Sequence, residues 1–287
     1  MKFVLTAFVD GFRDQATGIR SSIFSVAVGS LGLLAIGCKR HEGMADPLSG
    51  TKPGEMRFFS VHDDVDLEFR WVPAGDFVMG SPPDEVGRSE GEEQKNVRIR
   101  QGFWIAENET TFGIWQKVMK LRTPIANPLL GKPVTHVSWF DCQDFLKRLK
   151  APAAGWKYEL PTEMEWEYAC RAGSKSAYTG QASDSGWLRV NSGGCSHPVG
   201  TKTPNRWSIN DMHGNIAEWC RDREGATPGN AFIRGGSWAS DFASRAGARN
   251  FETPYLRSNR VGFRLVLARD DSEAVSSIST KRPPQLP

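Results

Sequence analysis

Short apolar runs broken by glycine, proline and charged residues make up most of this chain, and only three stretches repeat apolar side chains at helical spacing. Phe69, Trp71 and Val72 precede Pro73-Ala74-Gly75-Asp76, and Phe77, Val78 and Met79 follow, which predicts a hairpin. Residues 82–94 (PPDEVGRSEGEEQ) predict a charged surface loop. Val97, Ile99, Phe103 and Ile105 then alternate as in a strand, with a break at Gly102.

The three helical stretches each carry start chemistry. Thr110 or Thr111 can cap a helix whose apolar face is Ile114, Trp115, Val118 and Met119. Ser138 and Asp141 form a capping arrangement ahead of Cys142, Phe145, Leu146 and Leu149. Thr162 caps a third helix, Glu165 reciprocates, and Gly173 is placed to end it in a left-handed conformation. Beyond residue 173 loops dominate, with strands expected at 231–233 and 261–267.

The ends differ from the middle. Residues 21–37 carry no charge, follow Arg13 and Arg20, and run into Cys38-Lys39-Arg40, which reads as an export leader over 1–38. Ala35-Ile36-Gly37-Cys38 is similar to a bacterial lipoprotein cleavage box, with Cys38 as the lipid attachment site. The alternative is an uncleaved anchor, since a spanning helix needs about 17 to 25 residues. Either places the rest of the chain in the cell envelope, periplasmic or otherwise extracytoplasmic and held at the membrane. Residues 39–65 read as a polar linker, 66–268 as one domain and 269–287 as a disordered, Ser/Pro-rich tail.

Composition narrows the class. Thirty-six bases against 33 acids leave a net charge of +3, with no long block of one sign, which disfavours a nucleic-acid partner. Ten Trp with 29 Gly and four Tyr offer many buried anchors on little long periodicity, so a loop-rich α+β fold is expected. Apart from Cys38, the cysteines are Cys142, Cys170, Cys195 and Cys220. Their separations fit neither a redox nor a zinc motif, which leaves buried apolar roles, a structural disulfide, or metal ligation in that order.

Six blocks occur in a set order: residues 69–81 (FRWVPAGDFVMGS), 133–141 (PVTHVSWFD), 160–173 (LPTEMEWEYACRAG), 211–219 (DMHGNIAEW), 234–238 (RGGSW) and 262–265 (GFRL). In this order they resemble the sulfatase-modifying-factor family, also called formylglycine-generating-enzyme-like. The resemblance implies a C-type-lectin-like arrangement with short strands, few helices and long structured loops. It also implies a surface cleft in which active members hold copper with two thiols and oxidise a sulfatase cysteine to formylglycine. Soft thiolates suit Cu(I). In this chain no cysteine follows Cys220, so the stretch after the RGGS block has none. Ser240 stands where the first thiol would be, and Ala217 replaces a Trp of active members. Copper and formylglycine formation are therefore not expected.

The resemblance also implies a structural calcium site on Asp211 and Glu218, with the carbonyls of Gly214 and Ile216 between them. The alternative is that Asp211 is a turn residue and Glu218 pairs with an arginine. His136 and His213 lie in family blocks, where hydrogen-bonded loop histidines are expected. Ser237, Trp238, Ser240, Arg245 and Arg249 are expected to line the cleft, with guanidinium groups for an acidic or sugar-like ligand and an indole face for stacking. Arg234 and Arg264 are expected to tie loops within the core. Two functions fit: a binding module for a peptide, glycan or small-molecule ligand, or an oxidoreductase of the formylglycine-generating type working by a different mechanism.

Overall fold

A computed structural model describes residues 46–122, 127–224 and 229–270. The leader, Cys38 and the 271–287 tail lie outside the described residues. The first strands are β1 (Met56–His62), β2 (Val65–Val72), β3 (Gly75–Met79), β4 (Lys95–Ile99) and β5 (Phe103–Ala106). Later come β6 (Trp156–Glu159), β7 (Gly186–Trp187), β8 (His213–Gly214), β9 (Ala217–Glu224), β10 (Asn230–Arg234), β11 (Asn250–Glu252), β12 (Val261–Gly262) and β13 (Val266–Arg269). The α-helices are α1 (Phe112–Met119), α2 (Trp139–Leu146), α3 (Glu163–Arg171) and the single turn α4 (Ala182–Ser185).

All three expected helices form where their caps lie. Thr111 accepts from Ile114 N to start α1, and complete capping boxes start α2 (Ser138 with Asp141) and α3 (Thr162 with Glu165). Such a cap contributes about 1 kcal/mol. The third helix ends one residue earlier than expected, because Ala172 already adopts φ 45° before Gly173 at φ 84°.

The expected hairpin does not form. Strand β2 pairs with β1 and β5, whereas β3 turns away at Gly75 and pairs with β4. Two apolar runs around a turn fix the turn, and their partners are chosen by more distant chain. The expected linker is also corrected: residues 56–62 form edge strand β1, with Phe59 and Val61 buried. Residues further upstream are tied down as well, since Trp104 Nε1 donates to Leu48 O at 2.7 Å and Trp156 Nε1 to Asp46 at 2.9 Å. At the other end, Arg269 belongs to β13 and not to a tail. The run expected as one strand over 261–267 splits into β12 and β13, which join different sheets.

The larger sheet has the order β1-β2-β5-β13-β6, and the second is β11-β10-β9-β12, with β12 parallel to β9. Aromatic packing fills the larger sheet's face: Trp104 lies 5.1 Å from Trp71 and 5.3 Å from Phe59, centre to centre. Helix α3 packs on β10 and β9 with Trp166, Ala169 and Cys170 fully buried. This contact positions the site, because β10 leads directly into the RGGS turn.

Candidate functional site

Arg234 ends β10 with its side chain fully buried against α3. Its guanidinium donates to Glu167 at 2.5 Å, to Glu163 at 3.3 Å and to Ala246 O at 2.7 Å, and lies over the Trp166 ring. Arg171 closes the network with a 2.8 Å bond to Glu167 and a 2.7 Å bond to Gly80 O. Ordering four long side chains is costly, and their neutralisation offsets the desolvation of each charge. Gly235 (φ 85°) and Gly236 (φ 63°) then reverse the chain. A side chain at Gly236 would meet Ser244 Oγ at 2.4 Å, so only glycine fits.

The turn carries Ser237, which is buried, and the half-buried Trp238 and Ser240. Ser240 Oγ accepts from Ser237 N at 3.0 Å and lies 3.3 Å from Ser237 Oγ, while Ser240 O accepts from Arg189 N at 3.1 Å. Trp238 is held from three sides: its N–H donates to Asn215 O, its carbonyl accepts from Ser192 Oγ at 2.8 Å, and its indole N–H donates to Asn259 O at 3.1 Å. Arg260 lies over the indole face, 5.2 Å from the ring centre. The structure thus brings three of the five expected cleft residues together on one turn.

The other two are corrected. Arg245 is buried, and its guanidinium is consumed by Glu85, Glu92 and Gly87 O, which tethers the 82–94 loop. Arg249 makes two bonds to Glu163, at 2.9 and 2.7 Å, and one to Gly91 O. Sequence density of arginine suggested a basic cleft. The guanidinium groups of Arg245 and Arg249 instead found carboxylates far away along the chain.

The expected calcium ligands are also only partly in place. Glu218 is fully buried and uses both oxygens on Arg264, at 2.6 Å each, with Trp166 Nε1 at 2.7 Å. The arginine-pair alternative therefore describes Glu218, and its role as a calcium ligand is corrected. Asp211 remains, at φ 56°, with one oxygen accepting from Gly200 N and the other buried with no hydrogen-bond partner. Glu109, not foreseen from sequence, contributes a second buried orphan oxygen, while its other oxygen accepts from Asn215 at 3.2 Å. Burial, with Asp211 and Glu218 nearby, holds the Glu109 carboxyl well above the usual carboxylate range. Burial also raises Asp211. Among the described residues no three His, Cys, Asp or Glu side chains form a metal centre. Two orphan carboxylate oxygens are nonetheless hard donors of the kind calcium takes, with Gly214 and Ile216 carbonyls available in the same segment.

Cysteine and histidine complete the surroundings. The four described cysteines are free; Cys142, Cys170 and Cys220 are buried and Cys195 is exposed. His213 Nδ1 pairs with Ser244 O at 2.8 Å, and Nε2 lies near Thr179 and, at 3.8 Å, Cys170 Sγ. Burial pushes the Cys170 thiol up to about 12, so it is no nucleophile at neutral pH. Burial also pulls the His213 imidazole down to about 4. His136 donates its backbone N–H to Ser258 O. Ser192 and Glu109 are the site-adjacent residues that sequence reasoning missed, and neither has a local signal, since each acts through a partner in another block.

Short strands, three capped helices and long tethered loops around a glycine turn define a C-type-lectin-like α+β protein. The sulfatase-modifying factor enzyme 1-like domain matches residues 65–269, and the chain belongs to that family. It is 32% identical over 168 residues to the formylglycine-generating enzyme of Streptomyces coelicolor, covering 46% of this chain and 51% of that protein. It is 33% identical over 206 residues to the chaperone protein LppX of Paenibacillus barcinonensis, covering 51% and 72%. To the inactive C-alpha-formylglycine-generating enzyme 2 of Bos taurus it is 28% identical over 195 residues, covering 58% and 56%. The chain thus spans about half the length of the formylglycine-generating relatives it matches. PvdO from Pseudomonas aeruginosa superposes with a TM-score of 0.63 at 26% identity, over 76% of this chain and 99% of that one.

The neutral, buried His213 sets a pH dependence. Unfolded histidine titrates near 6.5, so below that value the unfolded chain binds a proton that the fold refuses until pH 4. Stability is full above the unfolded value and falls as pH drops from 6.5 to 4, by on the order of 3 kcal/mol from this residue. Denaturant unfolding at pH 7 and 4.5 checks it: the wild-type loss of stability between the two should exceed that of His213→Gln by about 2 to 3 kcal/mol, and equal losses would refute the assignment.

Proposed function

We propose that this chain is a non-catalytic member of its family that holds an extended peptide in the cleft around Ser237, Trp238 and Ser240, at the extracytoplasmic face of a membrane. One observation carries this reading: no cysteine follows Cys220, and Ser240, which by the family resemblance stands where a thiol would be, is tied to Ser237. A hydroxyl does not grip Cu(I) as a thiolate does. The buried Cys170, Cys142 and Cys220 offer no substitute. Among the relatives, one carries the name of an inactive enzyme and another that of a chaperone, a class that acts on polypeptides. Those names support peptide over glycan and holding over turnover. Calcium joins the proposal as a structural ion held by Asp211 with Glu109 and nearby carbonyls, where it would satisfy the two orphan oxygens. The charge-free stretch ahead of Cys38 supports export and lipid attachment there.

Incubated with copper, oxygen and a peptide bearing Cys-x-Pro-x-Arg, the purified chain should yield no aldehyde by mass spectrometry; copper-dependent turnover would refute the non-catalytic reading. On peptide and glycan arrays it should be retained by peptides, and Ser240→Trp should abolish retention. Retention on glycans alone would transfer the cleft to sugar binding. A calcium chelator should lower the melting temperature by about 5 to 10 °C, the shift a tightly held ion gives a domain of this size. Asp211→Ala should remove that response, and equal melting of wild type with and without chelator would end the calcium proposal. In cells the protein should fractionate with membranes and Cys38→Ser should release it; wild-type protein in the cytosol would contradict export.

A further inference from the structure

We infer that Arg260, lying over the face of Trp238, selects the ligand by binding a carboxylate on the held peptide. This rests on the peptide reading of the cleft. Six arginines fall between residues 234 and 264, and five of them have carboxylate partners. Arg234 is neutralised by Glu163 and Glu167, Arg245 by Glu85 and Glu92, Arg249 by Glu163, Arg257 by Asp141 and Arg264 by Glu218. Arg260 is exposed, and among the described residues no carboxylate pairs with it. It is therefore the cation that the fold leaves uncommitted next to the serine turn.

Its setting gives it direction as well as charge. The Arg260 backbone is fixed by Ala217 N donating to its carbonyl at 2.8 Å, in the parallel pairing of β12 with β9. The surface it lies on is fixed too, because Trp238 is bonded through its N–H, its carbonyl and its indole nitrogen. With its Cζ 5.2 Å from the centre of a held indole and no carboxylate partner among the described residues, the Arg260 guanidinium has N–H groups for bidentate binding of a carboxylate. The nearest other charges on the turn do not compete, since Asp241 is engaged by Arg189. An acidic side chain and a peptide C-terminus present the same carboxylate to Arg260.

The test uses the tightest peptide from the array described above, its variants with each Asp or Glu changed to the amide, and its C-terminally amidated form, measured by biolayer interferometry. Loss of the recognised carboxylate should weaken binding to wild type about tenfold, the size of one charge-assisted hydrogen bond at a partly exposed site. The variant that shows the loss identifies the source: the side-chain amide, or the amidated terminus. Arg260→Gln should bind all these peptides alike, at the level of the uncharged peptide on wild type. Arg260→Lys should restore part of the preference, and added salt should erode it in wild type. If wild type binds charged and amide peptides equally, or Arg260→Gln keeps the preference, the inference is overturned while peptide holding stands. If no peptide is retained at all, both readings fall together.

Discussion

The buried pairing of Arg234 with Glu163 and Glu167 is the constraint on which the serine turn depends. It fastens α3 to the end of β10, one residue before the Gly-Gly reversal that presents Ser237, Trp238 and Ser240. Buried ion pairs often stabilise no more than well-packed apolar side chains would, and breaking one by removing a single partner costs about 3–5 kcal/mol. Their value here lies in position. An apolar contact lets a helix slide on a strand, whereas bonds of 2.5 to 2.8 Å to a guanidinium set the register of α3, β10 and Gly80 against one another. Arg245 repeats the device for the 82–94 loop, so acidic residues that look like a solvated surface run in sequence become internal anchors.

What could be read from sequence follows the range of the interaction. Caps are local: Ser138 with Asp141 and Thr162 with Glu165 span three residues, and both boxes form as written. Strand partners are not local. The apolar runs on either side of Gly75 give a turn, yet β2 pairs with β5 across the 82–94 loop and β3 with β4 on its far side. The polar look of residues 39–65 hid β1 because an edge strand buries only alternate side chains, here Phe59 and Val61. Six ordered blocks carried the family and the fold, since each holds a turn or a cap that the architecture needs.

The site was legible in its backbone and much less so in its charges. The RGGS turn had to present Ser237 and Ser240, because two left-handed glycines leave the chain few other paths. The arginine-rich segment misled for Arg245 and Arg249, whose partners Glu92 and Glu163 lie over eighty residues upstream, where no spacing rule reaches. Glu218 misled in the same way: its motif position suggested a metal, and Arg264, itself part of the GFRL block, took both of its oxygens.

The hold on the serine turn does not depend on sulfur. Ser240 contributes a turn bond to Ser237 N, and the surrounding hold on the turn comes from Arg234, the two glycines, Asn215 and Ser192, none of which needs sulfur. The architecture of the turn therefore rests on glycines, an arginine and amide or hydroxyl partners. Those bonds hold a partly exposed indole with the Arg260 guanidinium over its ring. Once the strongest charges are used up inside the fold, what the turn shows to its surroundings is set by the few polar groups that remain without partners beside it. Beside this turn the two serine hydroxyls are spent on holding the turn itself, and the guanidinium of Arg260 is the charged group that no carboxylate among the described residues takes up.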